Sequence, residues 1–244
     1  MTRLEGKTAV VTGGGGGIGF ASAKRFIEEG AFVFIFGRTK TTLDEALALL
    51  GPNARAVCGS ITDAADLDRL FEAVKAERGS LDILFANAGI SELAPLGQIT
   101  AEQYDRIFGT NVKGLLFTVQ AALPLMSEGG SIILTGSSGG SMGIPQFSLY
   151  SASKAAIRSF ARTWAQDLNG TGIRVNVLSP GATRTDKAVE IMGEAGLDAV
   201  RANTPLARVG APDEIAAVAA FLASGDSSFM TGSEVFADGG VAQV

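Results

Sequence analysis

Thr8-Ala9-Val10-Val11-Thr12-Gly13-Gly14-Gly15-Gly16-Gly17-Ile18-Gly19 is the stretch that decides the fold. A short β-branched, apolar run stops at five consecutive glycines, and a helical pattern follows at once. Glycine accepts positive φ and lets the backbone come close to a ligand. A helix N-terminus behind such a turn presents unpaired N–H groups and the positive end of its dipole. Strand, glycine turn and helix in that order open a βαβ unit suited to a pyrophosphate. G-x-G-x-x-G is present as Gly14, Gly16 and Gly19, although five glycines in a row satisfy almost any glycine pattern. A triphosphate P-loop is disfavoured, because no Gly-Lys-Ser/Thr follows.

Working outward, the same alternation repeats. Ile18 to Glu29 reads as a helix closed by Gly30, and Phe32 to Phe36 as a buried parallel strand. A helix over Thr41 to Leu50 leads to a strand at Ala54 to Val57. Thr62 or Asp63 caps the next helix, whose inner face carries Leu67, Leu70, Phe71 and Val74. Further strands are expected at Leu81 to Ala86, Ile132 to Thr135, Arg174 to Leu178 and Glu234 to Ala237. Long helices are expected from about Thr100 to Met126 and from Phe147 to Leu168, with another at Pro212 to Ala223. This pattern predicts an α/β fold: a single doubly wound Rossmann domain over residues 1–244, with a parallel sheet of about seven strands and helices on both faces. Such sheets bind ligands beyond the carboxyl ends of their strands.

Composition narrows the chemistry. Apolar residues make up 46% and charged ones 18%, which suits a sheet buried on both faces. A net charge of −5 disfavours a nucleic-acid partner. No apolar run approaches a membrane span, and Met1 to Gly6 contain no apolar signal core, so a cytoplasmic protein is expected. Cys58 is the only cysteine; it excludes an internal disulfide, and its place after Ala54 to Val57 predicts a buried structural thiol. Histidine is absent, which removes His-based triads and the usual zinc sites, and no metal is expected. Acid–base chemistry must then use Tyr, Lys or a carboxylate.

Two places carry that chemistry. After the second strand stands Phe36-Gly37-Arg38-Thr39, where an acidic residue would accept from an adenosine ribose. Gly37 leaves space and Arg38 offers a guanidinium for a 2′-phosphate, so NADP(H) is expected over NAD(H). Tyr150 and Lys154 lie four residues apart on one helical face. A nearby ammonium favours phenolate, so the pair is a plausible general acid/base. Tyr and Lys at this spacing also occur as plain surface contacts. Ser137 and Ser138 follow a strand close to the start of that helix, and either hydroxyl could hold a substrate carbonyl oxygen.

With these residues in place, the chain resembles the short-chain dehydrogenase/reductase family along essentially its whole length. The resemblance rests on Thr12-Gly-x-x-x-Gly17-Ile18-Gly19, Asn87-Ala88-Gly89, Asn111, Ser137, Tyr150-x-x-x-Lys154 and Pro180-Gly181. The thirteen-residue spacing to Tyr150 selects Ser137 over Ser138. The resemblance implies that Tyr150 is the acid/base, that Ser137 polarises the carbonyl, and that Lys154 binds the nicotinamide ribose and lowers the Tyr150 pKa. Asn111 would hold a helix bend and a water in the proton relay. Gly13, Gly15, Gly16, Gly17, Ile18 and Gly19 would cradle the cofactor, with Arg38 and Thr39 at its phosphate end. Asn87, Ala88 and Gly89 would line its cleft, and Pro180, Gly181, Thr183 and Thr185 its nicotinamide end. Ala86 replaces a common asparagine, and Ser60 stands where many members carry Asp or Asn beside the adenine. Gly16 is not the basic residue that often supplements NADP binding, which leaves Arg38 as the main phosphate partner, helped by Thr39 or Lys40.

Other readings are weaker. Gly136-Ser137-Ser138-Gly139-Gly140 matches a hydrolase elbow but lacks its histidine, and Ser151-x-x-Lys154 lacks the companion motifs of serine acylases. A non-catalytic NADP-binding regulator could dispense with Tyr150 and Lys154, yet both are present. The expected reaction interconverts a ketone or aldehyde and its alcohol. Ser137, Met142, Phe147, Tyr150 and Met192 form the expected substrate pocket, with Ile144 and Leu149 nearby and a lid at about 183–205. An aliphatic or aryl ketone fits these side chains. A 3-oxoacyl-carrier-protein reductase is the alternative, although acidic carrier proteins favour a basic rim and Thr171 stands where those reductases tend to carry arginine. The resemblance also implies a homotetramer, with a dimer as runner-up, paired through the two long helices and Asp238-Gly239-Gly240.

Overall fold

Every residue of β1 (Thr8–Thr12) is buried, so this strand needs cover on both faces. In the computed structural model, which describes residues 2–244, it is the third of seven parallel strands. The others are β2 (Phe32–Gly37), β3 (Ala54–Cys58), β4 (Leu81–Ala86), β5 (Met126–Thr135), β6 (Arg174–Pro180) and β7 (Glu234–Ala237). Their order is β3-β2-β1-β4-β5-β6-β7. The chain winds outward from β1 to β3 and then returns to place β4 on the other side of β1. That reversal opens a crevice between the carboxyl ends of β1 and β4, where this class of sheet takes its ligands.

Helices α1 (Gly17–Glu28), α2 (Lys40–Leu50) and α8 (Pro212–Ala223) cover one face. Phe26, Leu43 and Ile215 are among the side chains they bury there. On the other face α3 (Ala64–Arg78), α5 (Leu115–Ala122) and α6 (Ser148–Asp167) bury Leu70, Val119 and Ile157. Asp63, not Thr62, caps α3, accepting from the Asp66 amide at 3.2 Å.

The expected helix from Thr100 to Met126 is interrupted. It consists of α4 (Ala101–Phe108), a π-helical segment (Gly109–Gly114), α5 and a 3-10 turn (Leu123–Leu125). Met126 already belongs to β5, pairing with Leu81 before a register shift. The polar Ser127-Glu128-Gly129-Gly130 stretch hid that early start, because it lacks an apolar pattern. Most of the expected lid is α7 (Asp186–Ala202), a helix broken at Gly193, where φ is 63°. Cys58 is exposed, which corrects the expected buried thiol: it is the last residue of edge strand β3, where only one neighbouring strand covers it. No helix among the described residues is long and apolar enough to cross a membrane.

Candidate active site

Five glycines left the register of the turn ambiguous, and the backbone resolves it. Gly13 and Gly17 take φ of 67° and 52°, a region that side chains other than glycine rarely adopt. A Cβ on Gly13 would lie 2.9 Å from Asn87 Nδ2. One on Gly19 would overlap the Gly13 carbonyl oxygen and lie 2.7 Å from the same amide. Gly16 instead has extended backbone and open space around its Cβ position. Gly14 is tight as well, since a Cβ there would lie 2.8 Å from Ile35 Cβ. Gly13, Gly14, Gly17 and Gly19 are therefore the demanding glycines, and Gly16 is not. This fits Thr-Gly-x-x-x-Gly-x-Gly, whereas G-x-G-x-x-G puts its middle glycine at an open position. Gly15 and Ile18 lie within the same turn and first helical turn.

Thr12 binds the two crevice strands together. Its Oγ1 accepts from the Asn87 and Ala88 amides at 3.0 Å each, and Asn87 Nδ2 donates to the Thr12 carbonyl at 3.0 Å. A cavity of about 160 Å³ runs from Gly13 and Ala88 past Gly37 and Arg38 to Ser60 and Ile61. Arg38 and Thr39 are exposed, and among the described residues no carboxylate pairs with Arg38. Lys40 is occupied by Asp44 at 2.7 Å, which leaves the guanidinium as the free cation at this end. Cys58 sits beside it, its Sγ 3.5 Å from the Arg38 carbonyl oxygen.

At the other end, Tyr150 lies in the first turn of α6 and Lys154 one turn on. The Lys154 ammonium is 5.5 Å from the centre of the Tyr150 ring and donates to the Thr135 carbonyl at 2.8 Å. Burial pushes Lys154 down to about 8. Burial also pushes the Tyr150 phenol above its ordinary value, and a hydrogen bond with Ser137 pulls it back in part. Desolvation of the phenolate is the larger of these two effects, while the Lys154 ammonium is held by a backbone carbonyl. Ser138 is buried while Ser137 is half-exposed, its Oγ accepting from the Gly139 amide at 3.1 Å. Phe147 meets Tyr150 edge-on at 5.5 Å.

Asn111 sits in the π-helical segment, whose wider turn swings it inward. Its Oδ1 accepts from the Ile90 amide at 2.8 Å; its Nδ2 donates to the Ile90 carbonyl at 2.9 Å and to Ser153 Oγ at 3.1 Å. Ser153, fully buried, donates in turn to the Tyr150 carbonyl at 2.6 Å. Sequence reasoning passed over Ser153 and Thr12 as functional residues. A small polar side chain on the inner face of an amphipathic helix was the signal for the first. Gly89 leaves room for this junction, since a Cβ there would lie 3.2 Å from Asn111 Oδ1 and 3.6 Å from Lys154 Nζ.

The remaining predicted residues frame the cleft. Pro180 ends β6, and Gly181 passes Asp238 so closely that a Cβ would lie 2.7 Å from its Cα. Thr183 is buried and donates to the Gly181 carbonyl at 3.1 Å. Thr185 caps α7, and its methyl would stand 3.1 Å from a Cβ on Gly17, so α7 starts against the glycine turn. Met142 and Met192 are half-buried, on the loop after Ser137 and on α7 beside Gly196. Arg38 and Thr39 lie at the far end from Tyr150, beyond the switch point.

A parallel sheet with its glycine turn at the switch point defines the Rossmann-like, dinucleotide-binding class. Comparison with known proteins narrows this. Residues 13–242 match the family model described as enoyl-(acyl carrier protein) reductase. The chain is 65% identical over 246 residues to the oxidoreductase asL5 of Sarocladium schorii, covering 100% of this chain and 99% of that protein. It is 37% identical to the 3-oxoacyl-[acyl-carrier-protein] reductase FabG of Thermotoga maritima, covering 98% and 99%. A crystal structure from Brucella melitensis, described as a short-chain dehydrogenase/reductase, glucose/ribitol dehydrogenase, superposes with a TM-score of 0.94 at 31% identity, covering 98% of each chain. The chain belongs to the short-chain dehydrogenase/reductase family. It is an oxidoreductase of a family that uses nicotinamide cofactors, NAD or NADP.

Proposed function

We propose that this protein is an NADP(H)-dependent reductase that interconverts a ketone or aldehyde and its alcohol, with Tyr150 as general acid/base. The observation that carries the reading is the packing of the Ser137 loop on α6, where a Cβ on Gly140 would lie 3.1 Å from Lys154 Cβ, beside Tyr150 and the buried Lys154. The site fits the cofactor because the turn excludes side chains at Gly13, Gly17 and Gly19 and the narrow cavity ends on an unpaired Arg38. Gly13 to Gly19 and the α1 N-terminus would hold the pyrophosphate, and Arg38 with Thr39 the 2′-phosphate. Asn87 to Gly89 would line the middle of the cleft, with Lys154, Pro180, Gly181, Thr183 and Thr185 at the nicotinamide end.

When bound, the reduced nicotinamide supplies the hydride. The protein's part is proton transfer and orientation. Ser137 donates to the substrate carbonyl oxygen, and Tyr150 delivers the proton to that oxygen as the alcohol forms. The raised Tyr150 pKa keeps the phenol protonated at neutral pH, which suits a donor. Lys154 stands close enough to balance the phenolate left behind. Asn111 and Ser153 fix the first turn of α6 that carries Tyr150.

Ile144 and Phe147 form an apolar rim, which supports an aliphatic or aryl ketone. The likeness to a 3-oxoacyl-carrier-protein reductase supports the alternative, against which stands the net charge of −5. A lone free cysteine supports a cytoplasmic setting. A homotetramer is supported by two faces left open: a groove of about 870 Å³ along β7 and the Asp238 to Gly240 segment, and the Phe108, Leu116 and Phe117 face. Turnover assays with NADPH and NADH should show NADPH-dependent reduction of activated ketones. Activity confined to carrier-linked 3-oxoacyl thioesters would favour the alternative, cofactor binding without turnover a regulator. Monomers in sedimentation would remove the tetramer.

A further inference from the structure

Tyr150, Lys154 and Arg158 recur every fourth residue and so form one stripe down α6. The first two belong to the site already described. Arg158 does not, yet it contacts the loop that carries Ser137. Its Nη1 donates to Ser141 Oγ at 3.1 Å and lies 3.5 Å from Glu234 Oε2 on β7. The Glu234 side chain is 12% exposed, and its other oxygen accepts from Ser179 Oγ at 2.7 Å. Ser179 is fully buried at the end of β6, directly under Gly136, where any Cβ would collide with its hydroxyl. Gly140 closes the loop on the other side: a Cβ there would lie 3.1 Å from Lys154 Cβ. Residues 136–141 are thus held from below by Ser179, from the helix by Lys154 and at the far end by Arg158.

We infer that Arg158, braced by Glu234 and Ser179, is a positioning residue that presses the Ser137 loop onto α6 so that the Ser137 hydroxyl meets the Tyr150 phenol. The inference rests on the proposed roles of Ser137 and Tyr150. Three residues separate Ser137 from Ser141, and the short 3-10 turn they form (Ser138–Gly140) transmits the tether. The Gly139 amide then fixes the Ser137 oxygen at 3.1 Å. Tyr150 faces Lys154 on its own helix and Ser137 on the loop, and Ser137 is the contact that eases its ionisation.

The chain has two tyrosines, which permits a direct test. Tyr104 is 47% exposed on α4, so in a Tyr104→Phe background the near-ultraviolet phenolate signal reports Tyr150 alone. Arg158→Met and Glu234→Gln should each raise the Tyr150 titration midpoint and lower kcat about tenfold, with NADPH affinity unchanged. Arg158→Lys should recover part of both. In a Ser137→Ala background, Arg158→Met should shift the midpoint no further. A shift of equal size with and without Ser137, or no shift in either, overturns the inference. Ser141→Ala removes only the tethered hydroxyl and decides the matter if the Arg158 variants do not fold: a raised midpoint supports the tether, an unchanged one overturns it. The titration needs no turnover, so a wild type inactive on carbonyls would refute the proposed reaction without touching this readout.

Discussion

At the adenosine end of the cleft the groups that would choose the ligand stand in solvent: Arg38 and Thr39 are exposed, and Lys40 is spent on Asp44. At the opposite end Lys154, Asn111 and Ser153 are buried and hydrogen-bonded: Asn111 to Ser153, Ser153 to the Tyr150 carbonyl and Lys154 to the Thr135 carbonyl. Exposed charges act through water and salt, so each tunes affinity by a modest factor. Buried polar groups are costly to leave unpaired, so each must be placed correctly for any reaction to occur. Under the proposed function, one end of the cleft selects the cofactor and the other sets the chemistry.

The comparison is tested most severely at Tyr150. Tyr150→Phe removes one oxygen, and kcat should fall by roughly a hundredfold to ten-thousandfold while NADPH titration gives an unchanged Kd. Substantial residual turnover would unseat Tyr150 as the acid. The glycine turn comes next, because it belongs to the binding end yet is as intolerant as the catalytic one. Gly19→Ala drives a Cβ into the Gly13 carbonyl and should weaken NADPH by about a hundredfold or more, or unfold the turn; Gly16→Ala has open space and should change binding less than about threefold. Equal effects by calorimetry would return the turn to its ambiguous register.

At Arg38 the expected effect is smaller. Arg38→Ala should cost about tenfold to a hundredfold in NADPH affinity with little change in NADH affinity, so the two cofactors converge. A parallel loss for both would remove the 2′-phosphate assignment. The last effect is on stability. Lys154 titrates near 8 when folded and near 10.5 when unfolded, so between those values the unfolded chain holds the extra proton. Stability therefore rises with pH through that window, by at most about 3 kcal/mol, and Lys154→Met should lack the rise in urea unfolding. A Lys154→Met profile parallel to wild type would place the ammonium in solvent.

Much of the fold was legible because its signals are local. Apolar runs such as Phe32 to Phe36 and the proline at the start of α8 fall where the strand and helix form. The π-helical segment was not legible, since nothing in Gly109-Thr110-Asn111 distinguishes an i+5 bond from an i+4 one; packing of Asn111 against Ile90 and Ser153 does. Cys58 was misread because an apolar run says nothing about which strand lies at the sheet edge. The bond from the Lys154 ammonium to Thr135 was not legible, because a four-residue spacing places Lys154 near the ring but says nothing of its hydrogen-bond partner.

By itself the sequence determined the α/β alternation, the glycine turn, the Tyr150–Lys154 spacing and the absence of histidine, because propensity, periodicity and composition are properties of the chain alone. Only the tertiary structure decided which glycines cannot bear a Cβ, that the Lys154 ammonium turns to the Thr135 carbonyl, and that Arg158 reaches Ser141 and Glu234. Those depend on distances between segments far apart in sequence, which close packing fixes and no local pattern encodes.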